Sequence, residues 1–137
     1  MQPRILMVED HADIADLYQL KLQLSGYRAA LATDGSRGLE MARTLQPDLV
    51  LLDIHLPGMD GLELLAALRA EETTRDVPVI VFSDDDSTEL MEEAERLGAA
   101  AYLVKARVLP SRLEQIIRSV LSGSADPKED VRANQAS

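Results

Sequence analysis

The sequence predicts an α/β fold, a three-layer (βα)5 sandwich in which helices cover both faces of one parallel sheet. Three observations support this prediction. Five apolar runs have the length of buried strands, five segments between or after them show helical periodicity, and the two kinds of segment alternate strictly. Strict alternation is typical of parallel strands that are joined by crossover helices.

The chain begins with a predicted strand, a helix and a second strand. RILMV, residues 4–8, is an apolar run of strand length. ADIADLYQLKLQL, residues 12–24, places apolar side chains at helical spacing, and Gly26 is a candidate C-terminal cap. YRAALA, residues 27–32, is a weaker second strand. These segments predict the first β-α-β connection.

The middle of the chain repeats the pattern. GSRGLEMARTL, residues 35–45, is helical, and Asp34 is its candidate N-cap. DLVLLD, residues 48–53, is the third strand, and GLELLAALRAEE, residues 61–72, is the third helix. The almost unbroken apolar run of the third strand predicts a position in the centre of the sheet, buried on both faces.

Two further strand–helix pairs complete the fold. VPVIVF, residues 77–82, is the fourth strand and AAYLV, residues 100–104, is the fifth. Helices are expected at residues 87–97 and at residues 110–122, where a proline suits the first turn. The first, third and fourth strands are the most apolar, so we expect them to be the central ones.

Composition and charge favour a globular domain and oppose nucleic-acid binding. The 137 residues suit one hydrophobic core, with 46% hydrophobic and 28% charged residues. Lysine and arginine number 14 against 24 aspartates and glutamates, so the formal charge is 14 − 24 = −10. Binding to nucleic acid needs basic residues, and base stacking needs more aromatic rings than one Phe and three Tyr.

No segment of the sequence predicts secretion or membrane insertion. There is no apolar run near twenty residues, and MQPRILMVED lacks the layout of a signal peptide. The absence of cysteine excludes disulfides, thiolate metal sites and a cysteine nucleophile. We expect a cytoplasmic protein with one domain at residues 1–122, followed by a polar, flexible tail or linker stub at residues 123–137.

Reactive groups follow four of the five predicted strands. Glu9 and Asp10 follow the first strand, Asp53 ends the third, Ser83 follows the fourth and Lys105 the fifth. In an open parallel sheet, ligands bind beyond these carboxyl ends. Three converging carboxylates repel one another, and Mg²⁺, which prefers oxygen ligands, would neutralise them. The set predicts that Asp53 attacks a phosphoryl group beside Mg²⁺, with Lys105 as a second cation.

Each of these residues alone has an ordinary explanation. An aspartate at a strand end is commonly a turn residue or a helix cap, and a lone serine or lysine there is commonly a cap or an exposed side chain. The ordered set carries the prediction, because each member follows a different strand on the same edge of one sheet.

The sequence resembles the receiver domain of two-component response regulators over roughly residues 3–122. The matching motifs are ILMVED, DLVLLDIHLPGMDG, VPVIVFS and AAYLVK, in the order that the family has them. The resemblance implies a flavodoxin-like fold with strand order 2-1-3-4-5. It also implies a signalling protein and not an enzyme, beyond self-phosphorylation from phosphodonors and autodephosphorylation.

The resemblance also implies a role for each matching residue. Asp53 would accept the phosphoryl group from a histidine kinase, a phosphotransfer protein or a small phosphodonor. Mg²⁺ would be held by Glu9, Asp10, Asp53 and the backbone carbonyl of His55. Ser83 would supply the switch hydroxyl, and Lys105 would be the counter-ion of the phosphoryl group. Tyr102 would be the aromatic switch, and Pro57 and Gly61 would shape the loop after Asp53.

Three positions depart from the family pattern. Ala106 follows the lysine where the family usually has a proline with a cis peptide bond, so we expect a trans bond, a rerouted loop at residues 106–110 and a less well aimed Lys105. Asp84 is the second departure, because it follows Ser83 where the family usually has a small residue beside the phosphate. Its charge, with that of Asp85 after it, would weaken phosphoryl retention or tune docking. A solvated loop that caps the next helix is the alternative for these acids.

His55 is the third departure, two residues after Asp53. Its imidazole titrates near neutral pH and would make hydrolysis of the acyl phosphate depend on pH. A half-exposed loop histidine without such a role is the alternative.

We expect output through protein–protein contacts, since the sequence predicts no output domain in this chain. The face formed by the fourth helix, fifth strand and fifth helix would report phosphorylation to a downstream protein target. The last helix has more apolar positions than one core-facing stripe needs, which suggests a homodimer through Leu113, Ile116, Ile117, Val120 and Leu121.

Two other functions stay open at this point. A phosphorylation-independent pseudo-receiver that only docks partners is favoured by Ala106 and Asp84 and opposed by the intact acids and Lys105. A Mg²⁺-dependent phosphohydrolase of the haloacid-dehalogenase kind also uses a strand-end aspartate. Those enzymes have a second acid where this chain has His55, and they carry a substrate cap for which 137 residues leave little room.

Overall fold

Five parallel strands form the central sheet. A computed structural model describes residues 2–123, so the predicted tail lies outside the described residues except for Gly123. The sheet has the order β2-β1-β3-β4-β5, which confirms the predicted order and the central positions of β1, β3 and β4. The strands are β1 Arg4–Val8, β2 Arg28–Ala32, β3 Leu49–Leu52, β4 Val79–Ser83 and β5 Ala101–Val104.

Five helices connect and cover these strands, as predicted. They are α1 Ala12–Leu24, α2 Gly35–Leu45, α3 Gly61–Ala70, α4 Thr88–Arg96 and α5 Pro110–Ser122. A 3₁₀ turn, Lys105–Arg107, precedes α5 and was not predicted. None of the helices in the described part of the chain is long and apolar enough to cross a membrane.

The two apolar layers lie on opposite faces of the sheet. Successive strand residues point to opposite faces, so Ile5 and Met7 of β1 join the layer under α1 and α5, whereas Leu6 and Val8 join the layer under α2, α3 and α4. Every residue of β3 is buried, since that strand has a helix layer on each side. The three-layer sandwich is therefore confirmed.

The predicted boundaries are wrong by two residues between α3 and β4 and by no more than one elsewhere. The third helix was expected to reach residue 72 but ends at Ala70. The buried Thr74 hydroxyl donates a hydrogen bond to the carbonyl of Leu68 at 2.7 Å. A side chain from the turn after α3 thus satisfies a backbone carbonyl in the last turn of the helix. Val77 belongs to this turn, because its amide donates to the carbonyl of Thr74, and β4 begins only at Val79.

The apolar positions of α5 all serve the core. Leu113, Ile116 and Ile117 are buried, and Val120 and Leu121 are partly buried against the same apolar layer. The expected surplus of apolar positions on α5 is therefore smaller than predicted, and the homodimer through this helix stays a prediction.

Helix α1 has an apolar stripe on its exposed face instead. Leu17, Leu20 and Leu24 are 48%, 54% and 78% exposed, respectively. The residues of α1 that are buried in the sandwich are Ala15 and Leu22.

Candidate functional site

The predicted reactive residues meet at the carboxyl edge of the sheet. Asp53 follows β3 and is 5% exposed, and Glu9 follows β1 and is 1% exposed. The Lys105 ammonium nitrogen, Nζ, lies 2.5 Å from Glu9 Oε1 and 3.1 Å from Asp53 Oδ2. A buried aspartate therefore lies beside an equally shielded cation and a second carboxylate.

Lys105 is aimed into the site, although the residue after it is not a proline. No cis peptide bond occurs in residues 2–123, so the predicted trans Lys105–Ala106 bond is confirmed. The expectation of a less well aimed Lys105 is wrong. The chain turns into the 3₁₀ turn directly after β5, and the Lys105 ammonium lies 5.7 Å from the centroid of the Phe82 ring. Tyr18 packs edge-on against that ring at 5.1 Å between centroids.

Lys105 keeps its charge in this pocket. Burial lowers the pKa of its ammonium, but the hydrogen bond to Glu9 and the charges of Asp53 and Glu9 outweigh burial, and the pKa is raised. Lys105 is consequently a cation at any pH near neutrality, positioned to face a second anion on Asp53.

Four ligand atoms of the cluster lie within 4.8 Å of one another. They belong to Glu9, Asp10, His11 and Asp53. Three carboxylates with one lysine leave an excess of negative charge, and hard oxygen donors are what Mg²⁺ prefers. The donor set thus fits a divalent cation. His11 is a site residue that the strand-end pattern does not predict, since it lies one position beyond the acids that follow β1. Its place directly after the Glu9–Asp10 pair is the signal that the sequence offers.

His11 contacts both acids of that pair. Its Nδ1 atom lies 3.1 Å from Glu9 Oε2 and 3.2 Å from Asp10 Oδ1. The hydrogen bond to Glu9, followed by the charges of Asp10 and Glu9, raises the pKa of the His11 imidazole.

Ser83 and Tyr102 lie on adjacent strands and meet at Asp85. Ser83 is fully buried, and its hydroxyl oxygen accepts a hydrogen bond from the Asp85 amide at 3.3 Å. The Tyr102 ring is 6% exposed, and its hydroxyl donates to the Asp85 carbonyl at 2.6 Å. Burial, with the charge of Asp85, raises the pKa of Tyr102 to about 12. The Tyr102 ring therefore points inward in this structure.

The side chains of the acidic loop after β4 contact the loop after β3, the 3₁₀ turn and the start of α4, where the Ser87 amide donates to Asp85 Oδ1 at 2.9 Å. His55 Nε2 lies 2.9 Å from Asp85 Oδ2, and Arg107 pairs with Asp86 at 2.9 Å. The hydrogen bond from His55 lowers the pKa of the Asp85 carboxyl. Asp84 is exposed. The Asp85 side chain thus bridges the loop after β4 to the loop that follows Asp53, through its contact with His55.

The loop after Asp53 is shaped around its backbone. The His55 amide donates to Asp53 Oδ1 at 3.3 Å, and the Gly61 amide donates to the carbonyl of Ile54 at 2.7 Å. A Cβ atom at Gly61 would lie 2.2 Å from the Asp53 carbonyl oxygen, so only glycine allows this approach. Pro57 is exposed in the same loop.

Comparison with known proteins extends these observations. The profile of the response regulator receiver domain matches residues 5–118. The chain is 36% identical over 118 residues to the DNA-binding dual master transcriptional regulator RpaA of Synechocystis, which covers 86% of this chain and 47% of RpaA. It is 36% identical to the transcriptional regulatory protein PrrA of Mycobacterium tuberculosis, over 94% of this chain and 56% of PrrA. The chain thus spans about half the length of these curated relatives.

Solved structures show the same fold. Chemotaxis protein CheY4 of Vibrio cholerae superposes with a TM-score of 0.82 at 28% identity, covering 88% of this chain and 99% of CheY4. A CheY-like receiver domain protein of Methanospirillum hungatei superposes with a TM-score of 0.83 at 31% identity, covering 90% and 96% of the two chains. With the family profile covering most of its length, this chain belongs to the receiver domains of two-component response regulators, which are signalling proteins.

Proposed function

We propose that Asp53 is the phosphoacceptor of a two-component phosphorelay, with a histidine kinase or a phosphotransfer protein as donor. The observation that carries this proposal is the buried Asp53 carboxylate 3.1 Å from the Lys105 ammonium, in a group of three carboxylates. A buried aspartate at a strand end is held at a fixed position, as a nucleophile requires. The chain would form one receiver domain at residues 1–122, with residues 123–137 as a tail or linker.

Mg²⁺ would be held by the side chains of Glu9, Asp10 and Asp53, with the backbone carbonyl of His55 as a further ligand. When bound, the ion would supply charge neutralisation for the incoming phosphoryl oxygens. The Asp53 carboxylate forms the new bond to phosphorus, and the donor's leaving nitrogen or oxygen departs with the electron pair of the bond that breaks. Lys105 binds a phosphoryl oxygen and orients the group.

The switch would start at Ser83. Its hydroxyl can donate to a phosphoryl oxygen on Asp53, and a change at Ser83 reaches Asp85, whose amide it binds. Asp85 in turn accepts the Tyr102 hydroxyl through its carbonyl. The acyl phosphate carries roughly −1.5 to −2 units of charge where the carboxylate carried a single one, and it offers three phosphoryl oxygens as acceptors. Both changes bias such a loop. The face formed by α4, β5 and α5 would then change its docking to a downstream protein.

Phosphate uptake at Asp53 is tested by intact-protein mass after incubation with a small acyl phosphate and Mg²⁺. We expect one added phosphoryl group on the wild type and none on Asp53→Asn. Asp16→Asn, which changes an exposed aspartate on α1, is the matched control and should accept phosphate like the wild type. Uptake by Asp53→Asn would contradict the assignment of Asp53.

The pseudo-receiver function predicts a different result. No added mass on the wild type, together with no Mg²⁺-dependent binding of a beryllofluoride phosphate mimic, would replace the proposed function by phosphorylation-independent docking. Steady turnover of small phosphate esters would instead indicate the phosphohydrolase.

A further inference from the structure

His11 is the member of the cluster to which the proposed function gives no role. Its ring lies on the exposed side of Glu9, whereas Lys105 lies on the inner side; their side chains are 61% and 8% exposed. Lys105 contacts Oε1 of Glu9, and the His11 ring contacts Oε2 of the same carboxylate. Because the Asp53 and Asp10 oxygens are also within 4.8 Å of the His11 nitrogen, the imidazole borders the whole acid group.

His11 also occupies the N-cap position of α1 without capping it. N-cap residues normally accept a backbone N–H through their side chain, as Asp34, Asp60 and Ser87 do for α2, α3 and α4. The side chain of His11 makes no such bond. Its backbone amide donates to Glu9 Oε2 at 3.2 Å, and its ring turns to the same oxygen. The conformation at the start of α1 therefore places an imidazole nitrogen at the acids.

We propose that His11 is a ligand for a borderline divalent transition ion, of which Zn²⁺ is the test case, at the site formed by Glu9, Asp10 and Asp53. The inference rests on the metal site of the proposed function and concerns its ion preference. Imidazole is a good donor to zinc, nickel and copper, whereas magnesium favours oxygen. His11 thus increases the preference of the site for such ions over Mg²⁺.

A simple ion pair is the competing explanation, and it predicts the opposite sign. If His11 serves only as an imidazolium counter-ion of Glu9 and Asp10, its removal leaves the acids more negative, and both Mg²⁺ and Zn²⁺ bind more tightly. If His11 is a ligand, its removal weakens Zn²⁺ binding while Mg²⁺, held by the carboxylates, is little affected. The effect on the two ions separates these explanations.

The test is calorimetric titration of the full chain with Mg²⁺ and with Zn²⁺, at about pH 8 so that the imidazole can lose its proton. For His11→Asn, we expect the Zn²⁺ dissociation constant to rise about tenfold or more, the size of effect that ligand-shell changes produce. The Mg²⁺ constant should change by less than about twofold, as should both constants in the control Asp13→Asn, an exposed first-turn acid of α1. An unchanged or tighter Zn²⁺ constant in His11→Asn would overturn the proposal.

Nitrogen-15 NMR gives a second readout. The chain has two histidines, so His11→Asn assigns both rings. We expect the Nδ1 resonance of His11 to shift on addition of Zn²⁺ but not of Mg²⁺, and an unshifted resonance at Zn²⁺ saturation would refute ligation.

Failure of this inference can be told apart from failure of the proposed metal site. If Asp53→Asn loses Mg²⁺ affinity while His11→Asn keeps full Zn²⁺ affinity, the site stands and the role of His11 is wrong. If Asp53→Asn binds both ions like the wild type, the ions bind elsewhere, and both the site and the inference fail.

Discussion

At the scale of single residues, the pKa of the Tyr102 hydroxyl reports how deeply its ring is buried. Its ring is buried, and its hydroxyl is bound to the Asp85 carbonyl. Burial and the Asp85 charge disfavour the phenolate, so the pKa is raised to about 12. Since an unfolded tyrosine ionises near pH 10, the stabilisation from neutral Tyr102 is complete below about pH 10 and is lost as the pH rises toward the folded pKa.

We expect the tyrosinate absorbance of Tyr102 to appear near pH 12, two units above an ordinary tyrosine. The measurement is the difference between the alkaline titrations of the wild type and Tyr102→Phe. A difference with its midpoint near pH 10 would mean that the ring is exposed in solution.

The acidic residues after Ser83 differ in their contacts, and we propose that they differ in their effect on phosphoryl lifetime. Asp84 is exposed, so screening limits its effect, and we expect Asp84→Ala to slow phosphoryl loss by about twofold at most. Asp85 is bridged to His55, and Asp85→Ala frees both loops beside Asp53, so we expect faster loss. Decay of the phosphorylated mass measures both. A large change in the rate of phosphoryl loss in Asp84→Ala, with no change in Asp85→Ala, would contradict the proposal that Asp85 has the larger effect.

The site residues that the sequence predicts are marked by their place at strand ends, whereas the missed features depend on contacts that form only in the folded chain. Asp53 and Lys105 could be predicted because parallel strands bring their carboxyl ends to one edge. The aim of Lys105 was wrongly predicted from Ala106 alone, because its support comes from the ring of Phe82, 23 positions earlier in the chain (105 − 82). The ring direction of His11 depends on the N-cap geometry of α1, which the residue type did not reveal.

At the scale of elements, the start of α3 fixes the backbone of Asp53. We expect Gly61→Ala to destabilise the fold by about 3 kcal/mol, because its Cβ would overlap backbone that cannot move without displacing Asp53. The overlap would be with the Asp53 carbonyl oxygen at 2.2 Å and the Ile54 Cα at 2.7 Å. Urea unfolding measures the loss, and phosphoryl uptake should fall with it.

Gly58→Ala is the control for Gly61→Ala. Gly58 has φ +72° and nothing within 4 Å of an added Cβ, so its substitution introduces backbone strain without a clash. We expect a loss of about 1 kcal/mol with phosphoryl uptake retained. Equal losses in the two variants would show that the close approach at Gly61 has no special cost.

The C-terminal end of α3 is joined to its neighbours by one guanidinium. Arg69 donates to the carbonyls of Arg75, Val77, Leu97 and Gly98, which lie in the turns before β4 and after α4. Burial lowers the pKa of this guanidinium, yet arginine stays charged at neutral pH. One side chain thus holds two turns at the edge of the sheet opposite the site.

We expect Arg69→Ala to cost about 2–3 kcal/mol in unfolding free energy, because several charged hydrogen bonds are lost together. Arg96→Ala is the matched control, since Arg96 pairs only with Glu93 of its own helix among the contacts described, and should cost less than about 0.5 kcal/mol. Similar losses of unfolding free energy in the two variants would show that the hydrogen bonds from Arg69 to the four carbonyls stabilise the fold no more than a surface ion pair does.

Helical periodicity predicted every helix but not which face of each is buried. In α1 the exposed stripe Leu17, Leu20 and Leu24 has the spacing expected of a core stripe, while Ala15 and Leu22 are buried. In α5 all five apolar positions contact the core, three of them buried and two partly buried. A single helix cannot reveal how much of its apolar face the neighbouring elements cover, because that coverage is set by the crossing of helix and sheet.

At the scale of the whole molecule, an acidic chain concentrates three carboxylates at one edge of its sheet. Its formal charge is −10, and among the described residues Lys105, with His11 when protonated, offsets part of the negative charge around Asp53. The same sheet that buries the apolar strands thus brings like charges together, and this repulsion opposes folding. A divalent cation bound at the proposed site would remove this repulsion, and folding and metal binding would then be coupled.

We expect Mg²⁺ to stabilise the whole domain. With free Mg²⁺ at about ten times its dissociation constant, binding to the folded state alone adds about 1.4 kcal/mol, and the melting temperature should rise by about 5 °C. Asp10→Asn removes one ligand of the proposed site and should lose most of this rise. Asp13→Asn removes an exposed charge of α1 and should keep it. Calorimetric melting at constant ionic strength, with and without chelator, makes the measurement. An equal rise in both variants would mean that Mg²⁺ only screens the surface charge, and that the acids at the edge of the sheet do not form its binding site.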